Sequence, residues 1–222
     1  MSIISAIFYY FIFTILLRHP YVLVAVVAAY LLRDRIPSPS AWLRRQRQFA
    51  RLKYEVAVNP YDSVAGRNIG MVLLDKGRPA EALTHLLEAL KKEPGSAEIN
   101  HLVGLSYLRG GKPDDAVGYL TKSIEVEPRF RYGESHLYLG EALLAKKDVD
   151  EAIGSFKTYL SINNTSIEGL YGYASALTAA GRKDEAKKAA QDGIMYHKAN
   201  PSFRRRRDWR WYVRLKGFKR TI

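Results

Sequence analysis

Three hydrophobic patterns succeed one another along the chain. From Ile3 to Leu32 nearly every position is apolar, interrupted only by Arg18-His19-Pro20. The first apolar run, 3–17, holds 15 uncharged residues and the second, 21–32, holds 12. From residue 41 onward apolar positions recur at three- and four-residue intervals, the mark of amphipathic helices. Leu43, Phe49, Leu52 and Val56 define the first of these, and Asn59-Pro60 stops it. Beyond Pro201 basic and aromatic residues interleave without a settled period. Trp211, Leu215 and Phe218 would share one helical face, while Trp209, Trp211, Val213 and Leu215 alternate as they would in a strand.

A helix needs roughly 20 apolar residues to cross a bilayer. Neither N-terminal run reaches that alone, and the two together exceed it. A short hairpin or re-entrant form would turn at Arg18-His19-Pro20. A single kinked span would lose a backbone hydrogen bond at Pro20 and bear about 2.5–3.5 kcal/mol for Arg18 near mid-bilayer. A secretory signal is the third reading, but no basic segment precedes the apolar run and no clear small-residue cleavage site follows it. A buried core hairpin is the bland alternative. Arg33, Arg35, Arg44, Arg45, Arg47, Arg51 and Lys53 follow the apolar stretch, and no Lys or Arg precedes Arg18. The positive-inside rule therefore sends the rest of the chain to the cytoplasm in either spanning topology. Residues 1–35 read as a membrane anchor and 36–59 as a linker, Pro37-Ser38-Pro39-Ser40, followed by a capping helix. Trp42, Arg44 and Arg45 have the composition of an interfacial contact.

The middle of the chain repeats. Gly70 and Gly104, Gly77 and Gly111, Ala82 and Ala116, and Pro94 and Pro128 are each 34 residues apart. A third copy, offset by two residues inserted within Arg129-Phe130-Arg131-Tyr132, carries Leu139-Gly140, Leu143, Ala152 and Phe156. A fourth carries Ala174, Leu177, Gly181 and Ala186. This large–small–large, Ala, aromatic, Pro pattern over roughly residues 60–200 resembles the tetratricopeptide repeat (TPR) family. The first copy shows it as Ile69-Gly70, Leu73, Ala82, Leu86 and Pro94, and the second as Val103-Gly104, Tyr107, Ala116, Leu120 and Pro128. The family tryptophan is replaced by Gly66, Asn100, His136 and Leu170, and the third copy has Asn164 where proline is expected. The resemblance implies an all-α helical-repeat solenoid of about four helix pairs, at about 63–96, 97–132, 133–166 and 167–200, preceded by the membrane segment. Residues 201–222 form a basic aromatic tail. A helix pair cannot bury its apolar face alone, so the ends need caps: 41–58 suits one end and the segment after Pro201 the other.

In the family the first helix of each pair lines a concave groove that binds peptides. That register places Val64, Arg67, Met71 and Leu74 on the groove, then Glu98, His101, Leu105 and Leu108. Glu134, Leu137, Glu141 and Leu144 follow, then Glu168, Tyr171, Ser175 and Thr178. The basic clamp that some members use for a C-terminal carboxylate is not matched, since Arg67 stands alone. Glu98, Glu134, Glu141 and Glu168 predict a partly acidic groove with an apolar floor. Against this, glutamate near a helix start is favoured by the helix dipole wherever it points.

Charge alters the picture once it is divided. The 35 Lys and Arg exceed the 22 Asp and Glu to give +13, with a sequence pI near 9.8. Residues 60–203 nonetheless carry 18 basic against 19 acidic side chains, while 1–59 carry eight against two and 204–222 nine against one. The excess lies at the ends, so a nucleic-acid-binding body is a minority reading. Arg204, Arg205, Arg206, Arg207, Trp209 and Trp211 read first as contacts to anionic lipid headgroups, with self-association onto the acidic groove or RNA contact behind that. There is no cysteine, which excludes disulfides and thiolate chemistry. His101 and His136 on successive first helices invite a metal-pair reading, but they have no third ligand in register and read as packing residues. With no phosphate loop and no nucleophile or metalloprotease motif, the sequence predicts no catalytic residue, metal or cofactor. The expectation is a TPR scaffold on the cytoplasmic face of a bacterial inner membrane, binding a protein or peptide partner. An assembly factor or chaperone for a membrane complex is the alternative.

Overall fold

The computed structural model describes residues 39–59 and 62–221, together with isolated positions between Tyr10 and Val27. The expected anchor, 1–35, therefore falls almost wholly outside the described residues, as do the side chains of Trp42 and Arg45. Among the described residues no helix is long and apolar enough to cross a membrane. The chain divides into two compact units, Met1–Arg51 and Leu52–Ile222. The boundary falls within helix α1 (Pro39–Val58), on which Arg44 is exposed.

The second unit is all-helical. Its pairs are α2 (Ser63–Asp75) with α3 (Pro79–Lys92), α4 (Ala97–Arg109) with α5 (Pro113–Val126), α6 (Glu134–Lys146) with α7 (Val149–Ile162), and α8 (Ile167–Ala179) with α9 (Lys183–Ala199). Helix α10 (Ser202–Thr221) follows. Local chemistry sets these boundaries. The side chains of Asp62, Ser96 and Ser166 accept hydrogen bonds from backbone N–H groups in the first turns of α2, α4 and α8. Pro79 and Pro113 open α3 and α5, where a missing N–H costs nothing. All four first helices end alike: the N–H groups of Arg78, Lys112, Asp148 and Arg182 donate to the carbonyls of Leu73, Tyr107, Leu143 and Leu177 at 2.8–2.9 Å. The turn needs a left-handed residue, supplied by Gly77, Gly111 and Gly181, but by Lys147 (φ 72°) in the third pair.

Within each pair, helices meet over small residues. A Cβ on Gly104 would lie 2.6 Å from Leu120 Cγ, and Ala116 is wholly buried beside it. Only glycine permits that approach. Successive first helices also touch one another: α2 meets α4, α4 meets α6, and α6 meets α8. Second helices pack between the pairs, α5 on α6 and α7 on α8. The first helices thus form the inner, concave layer. Near its start, Leu52 is buried and Val56 shares a pocket of about 290 Å³ with Gly66, His85 and Ala89 of α2 and α3.

Two features of the sequence take definite form here. The segment after Pro201, expected to cap one end, docks as α10 on α8 and α9. Helical periodicity prevails over strand alternation because it lets Leu215 bury completely against Ile167 and Ala190. Gly193 makes room for it: a Cβ there would meet Leu215 Cδ1 at 2.6 Å. The two-residue insertion also acquires a conformation. Phe130–Gly133 form a 3-10 turn in which Arg131 (φ 46°), Tyr132 (φ 59°) and Gly133 (φ 81°) are all left-handed.

Candidate functional site

The concave face begins with Arg67 on α2, whose Nη1 lies 2.8 Å from Glu98 Oε2 on α4. Both side chains are part-exposed, so the pair links two repeats while staying open to solvent. Met71 lies one turn along from Arg67, and Arg131 Nη2 reaches its sulfur at 3.9 Å. The inserted turn therefore extends from the third repeat back over the first. Its Phe130 ring sits 5.2 Å from the His101 ring, which Tyr138 approaches at 5.6 Å.

Four residues assigned to the groove by register are buried beneath it. Leu74, His101, Leu105 and Leu137 are 3%, 1%, 7% and 2% exposed. The cause is the close packing of successive first helices, which turns the middle of their shared face into interior. His101 is held by a chain of hydroxyls. Ser123 Oγ donates to the Ala97 carbonyl at 2.8 Å and lies 2.9 Å from Ser135 Oγ, which lies 2.9 Å from His101 Nδ1. Ser123 has one proton and spends it on Ala97. Ser135 must then donate to Ser123, so His101 Nδ1–H donates to Ser135. Burial, helped by the nearby Arg131 and Arg109 charges, lowers the imidazole pKa to about 3. The ring is therefore neutral, and its Nε2 is a bare acceptor. That atom is buried without a hydrogen-bond partner and lies 3.9 Å from Glu134 Oε2.

The carboxylates are not the freely solvated helix-start glutamates of the bland reading. Burial raises the pKa of Glu134, against the opposing pull of Arg131. It raises Glu168 too, with Arg210 opposing and Glu134 reinforcing. Glu141 is pushed up to about 7, first by burial and then by the Glu168 charge, against Arg109, Arg210 and Arg214. Glu134 has Arg131 Nη1 at 3.9 Å, and Glu168 has Arg210 Nη2 at 3.9 Å. Glu141, between them in sequence, has neither hydrogen bond nor ion pair among the described residues. Tyr138 senses all three carboxylates, and its phenol pKa is raised mainly by burial.

Helix α10 closes the far end of this face. Trp211 lies 5.3 Å from the Tyr171 ring, with the guanidinium groups of Arg210 and Arg214 at 4.6 and 4.8 Å from it. Trp211 is thus turned towards the solenoid rather than presented as a headgroup contact. Arg204, Arg205, Arg206 and Arg207 are exposed, as is Trp209, which sits 5.6 Å from Tyr212. Among the described residues no group of three His, Asp or Glu is placed to hold a metal ion. Sequence reasoning missed Ser123, Ser135, Tyr138, Arg109, Arg131 and Arg214 as parts of this face. The one available signal was polarity at Ser123 and Ser135 in otherwise apolar registers.

Comparison with known proteins matches this geometry. Tetratricopeptide repeat family models match residues 67–126 and 101–167, and a second such model matches 143–205. No curated protein matches the chain. Among solved structures, MamA superposes with a TM-score of 0.64 at 19% identity, covering 74% of this chain and 97% of MamA. Another MamA structure, from AMB-1, gives 0.63 at 23% identity, with 71% and 92% covered. YrrB, described as a TPR protein with an unusual peptide-binding site, gives 0.60 at 18% identity, with 76% and 82% covered. At these identities the likeness is one of fold.

Proposed function

From a chain that belongs to the tetratricopeptide repeat family, we infer a scaffold that holds a protein or peptide partner on the concave face of α2, α4, α6 and α8. The observation that carries this is the row of half-buried polar side chains on that face. Arg67, Glu98, Glu134, Glu141 and Glu168 line up across four repeats in an otherwise apolar layer. Half-burying carboxylates costs stability that a solenoid does not need to spend for its own folding. A peptide-binding relative of the same fold, YrrB, supports the same use.

The scaffold is anchored in this reading. The 15- and 12-residue apolar runs of 1–35, with seven basic residues between Arg33 and Lys53, support insertion into a membrane with the solenoid on the cytoplasmic side. A bacterial inner membrane fits that arrangement. The exposed Arg204–Arg207 cluster on α10 supports contact with anionic headgroups. A photo-crosslinking residue at Met71 or Glu98 in membranes tests the scaffold. It should capture one partner in stoichiometric yield, whereas the same residue at Glu125 or Lys157, exposed on second helices, should not. Equal capture from both faces would overturn the groove as the binding surface. A ladder of many weak adducts would favour a chaperone instead.

A further inference from the structure

We propose that Glu134, Glu141 and Glu168, together with the Nε2 of His101, form a receptor for the lysine or arginine side chains of a basic peptide segment of the partner. This rests on reading the concave face as the partner surface, and adds what that surface selects.

The receptor is defined by its acceptors and by a missing donor. The hydroxyl chain from Ala97 through Ser123 and Ser135 fixes the His101 proton on Nδ1, so the ring points a lone pair at the Glu134 carboxyl 3.9 Å away. The two groups face each other with no hydrogen bond between them. The side chain carrying that lone pair is only 1% exposed. An acceptor buried without a partner costs on the order of 1–3 kcal/mol, and a cationic N–H donor is the chemistry that satisfies it alongside a carboxylate. Glu141 repeats the demand two turns along α6, half-buried and unpaired among the described residues.

The chain itself shows which ligand class these groups draw. Arg131 and Arg210 approach Glu134 and Glu168, each at 3.9 Å, longer than a charge-assisted hydrogen bond. These guanidinium groups hold the two ends of the strip at a distance and leave the middle open. Arg131 does so from a turn whose two left-handed non-glycine residues are strained, as residues at ligand sites often are. An incoming basic segment displaces Arg131 from Glu134 with one cation and gives Glu141 its first partner with another. The specificity is the reverse of a carboxylate clamp.

The groups facing Glu141 are Tyr138 on its own helix, Arg109 on α4, Glu168 on α8, and Arg210 and Arg214 on α10. Glu141 is pushed up to about 7, so a cation binds it better as pH rises through that range. His101 stays neutral throughout.

The test uses the full-length protein in nanodiscs of zwitterionic lipid. Fluorescein-labelled peptides alternating lysine with alanine, and glutamate with alanine, carry a photo-crosslinker. The chain carries +13 overall, so indiscriminate electrostatics favour the glutamate peptide and only a local acidic site reverses that order. The lysine peptide should bind more tightly, crosslink to α4, α6 or α8, and tighten several-fold between about pH 6 and pH 8. Glu141→Gln, which keeps the shape and folds without a buried charge, should weaken it about tenfold and flatten the pH dependence. A lysine preference that Glu141→Gln leaves untouched overturns the receptor. Preference for the glutamate peptide, crosslinked to the concave face, overturns the basic partner and leaves the groove standing. Crosslinks confined to second helices, or no binding of either peptide, overturn both.

Discussion

Lys147 and Glu141 each sit where the third repeat departs from an easier choice, and their costs differ in kind. Lys147 occupies the left-handed turn position that glycine fills in the other three pairs, at φ 72° and exposed. A side chain there meets its own backbone, while glycine meets nothing. Lys147→Gly should therefore stabilise the solenoid by about 0.5–1 kcal/mol, read as a higher urea midpoint with an unchanged slope. Glu141 bears an electrostatic cost instead. Its carboxyl is raised from 4.5 to about 7, so between those values the folded state binds a proton that the unfolded state has released. Stability on this account is highest at low pH and is lost as pH rises through 7. Glu141→Gln should then melt above the parent at pH 8, with the gap closing as pH falls from 7 towards 4.5. An equal gap at pH 8 and pH 5 would mean that packing, not charge, accounts for it. A carboxylate that weakens the fold when ionised is explained by what it binds.

At the scale of elements, the sequence showed clearly whatever depends on local repetition. The 34-residue spacing of Gly70 with Gly104 and of Ala82 with Ala116 reports helix–helix approach, and the same closing hydrogen bond recurs in all four pairs. What depends on contacts between repeats was hidden. Leu74, His101, Leu105 and Leu137 share a register with part-exposed positions, but the closeness of successive first helices decides that they are interior. The reach of Arg131 to Met71 spans 60 residues and follows from an unusual backbone that no pattern of apolar positions encodes. The last helix lies between these cases. Its pattern allowed helix or strand, and tertiary packing chose helix by offering Leu215 a fully buried site over Gly193. Leu215→Ala should cost about 2–4 kcal/mol. Gly193→Ala should cost about 1–3 kcal/mol by forcing Leu215 aside. Because they act on one contact, the double variant should fall short of their sum by more than about 0.5 kcal/mol in denaturation. Additive costs would show that Gly193 serves something other than Leu215.

At the scale of the whole molecule, the balanced middle of the chain sets a condition on what its ends do. Residues 60–203 carry 18 basic against 19 acidic side chains, so the solenoid has little net attraction to an anionic surface or to nucleic acid. The proposed attachment to a membrane would then come from the apolar runs before Arg33, from the basic residues of 33–53 and 204–207, or from both, and salt separates apolar from charged contact. A basic residue near an anionic headgroup layer contributes about 1 kcal/mol. That attraction fades when the screening length shrinks from about 10 Å at 0.1 M to about 3 Å at 1 M salt. Burial of apolar side chains in the bilayer is not weakened by salt or by carbonate. The full-length protein should therefore stay with the membrane pellet through 1 M salt and alkaline carbonate. A chain lacking residues 1–35 should bind anionic vesicles at low salt and release at high salt. Substituting Arg204–Arg207 with glutamine in that shortened chain should weaken the low-salt binding, with the basic residues of 44–53 accounting for the remainder. Release of the full-length protein by either wash would remove the anchor and leave a peripheral scaffold held by charge alone.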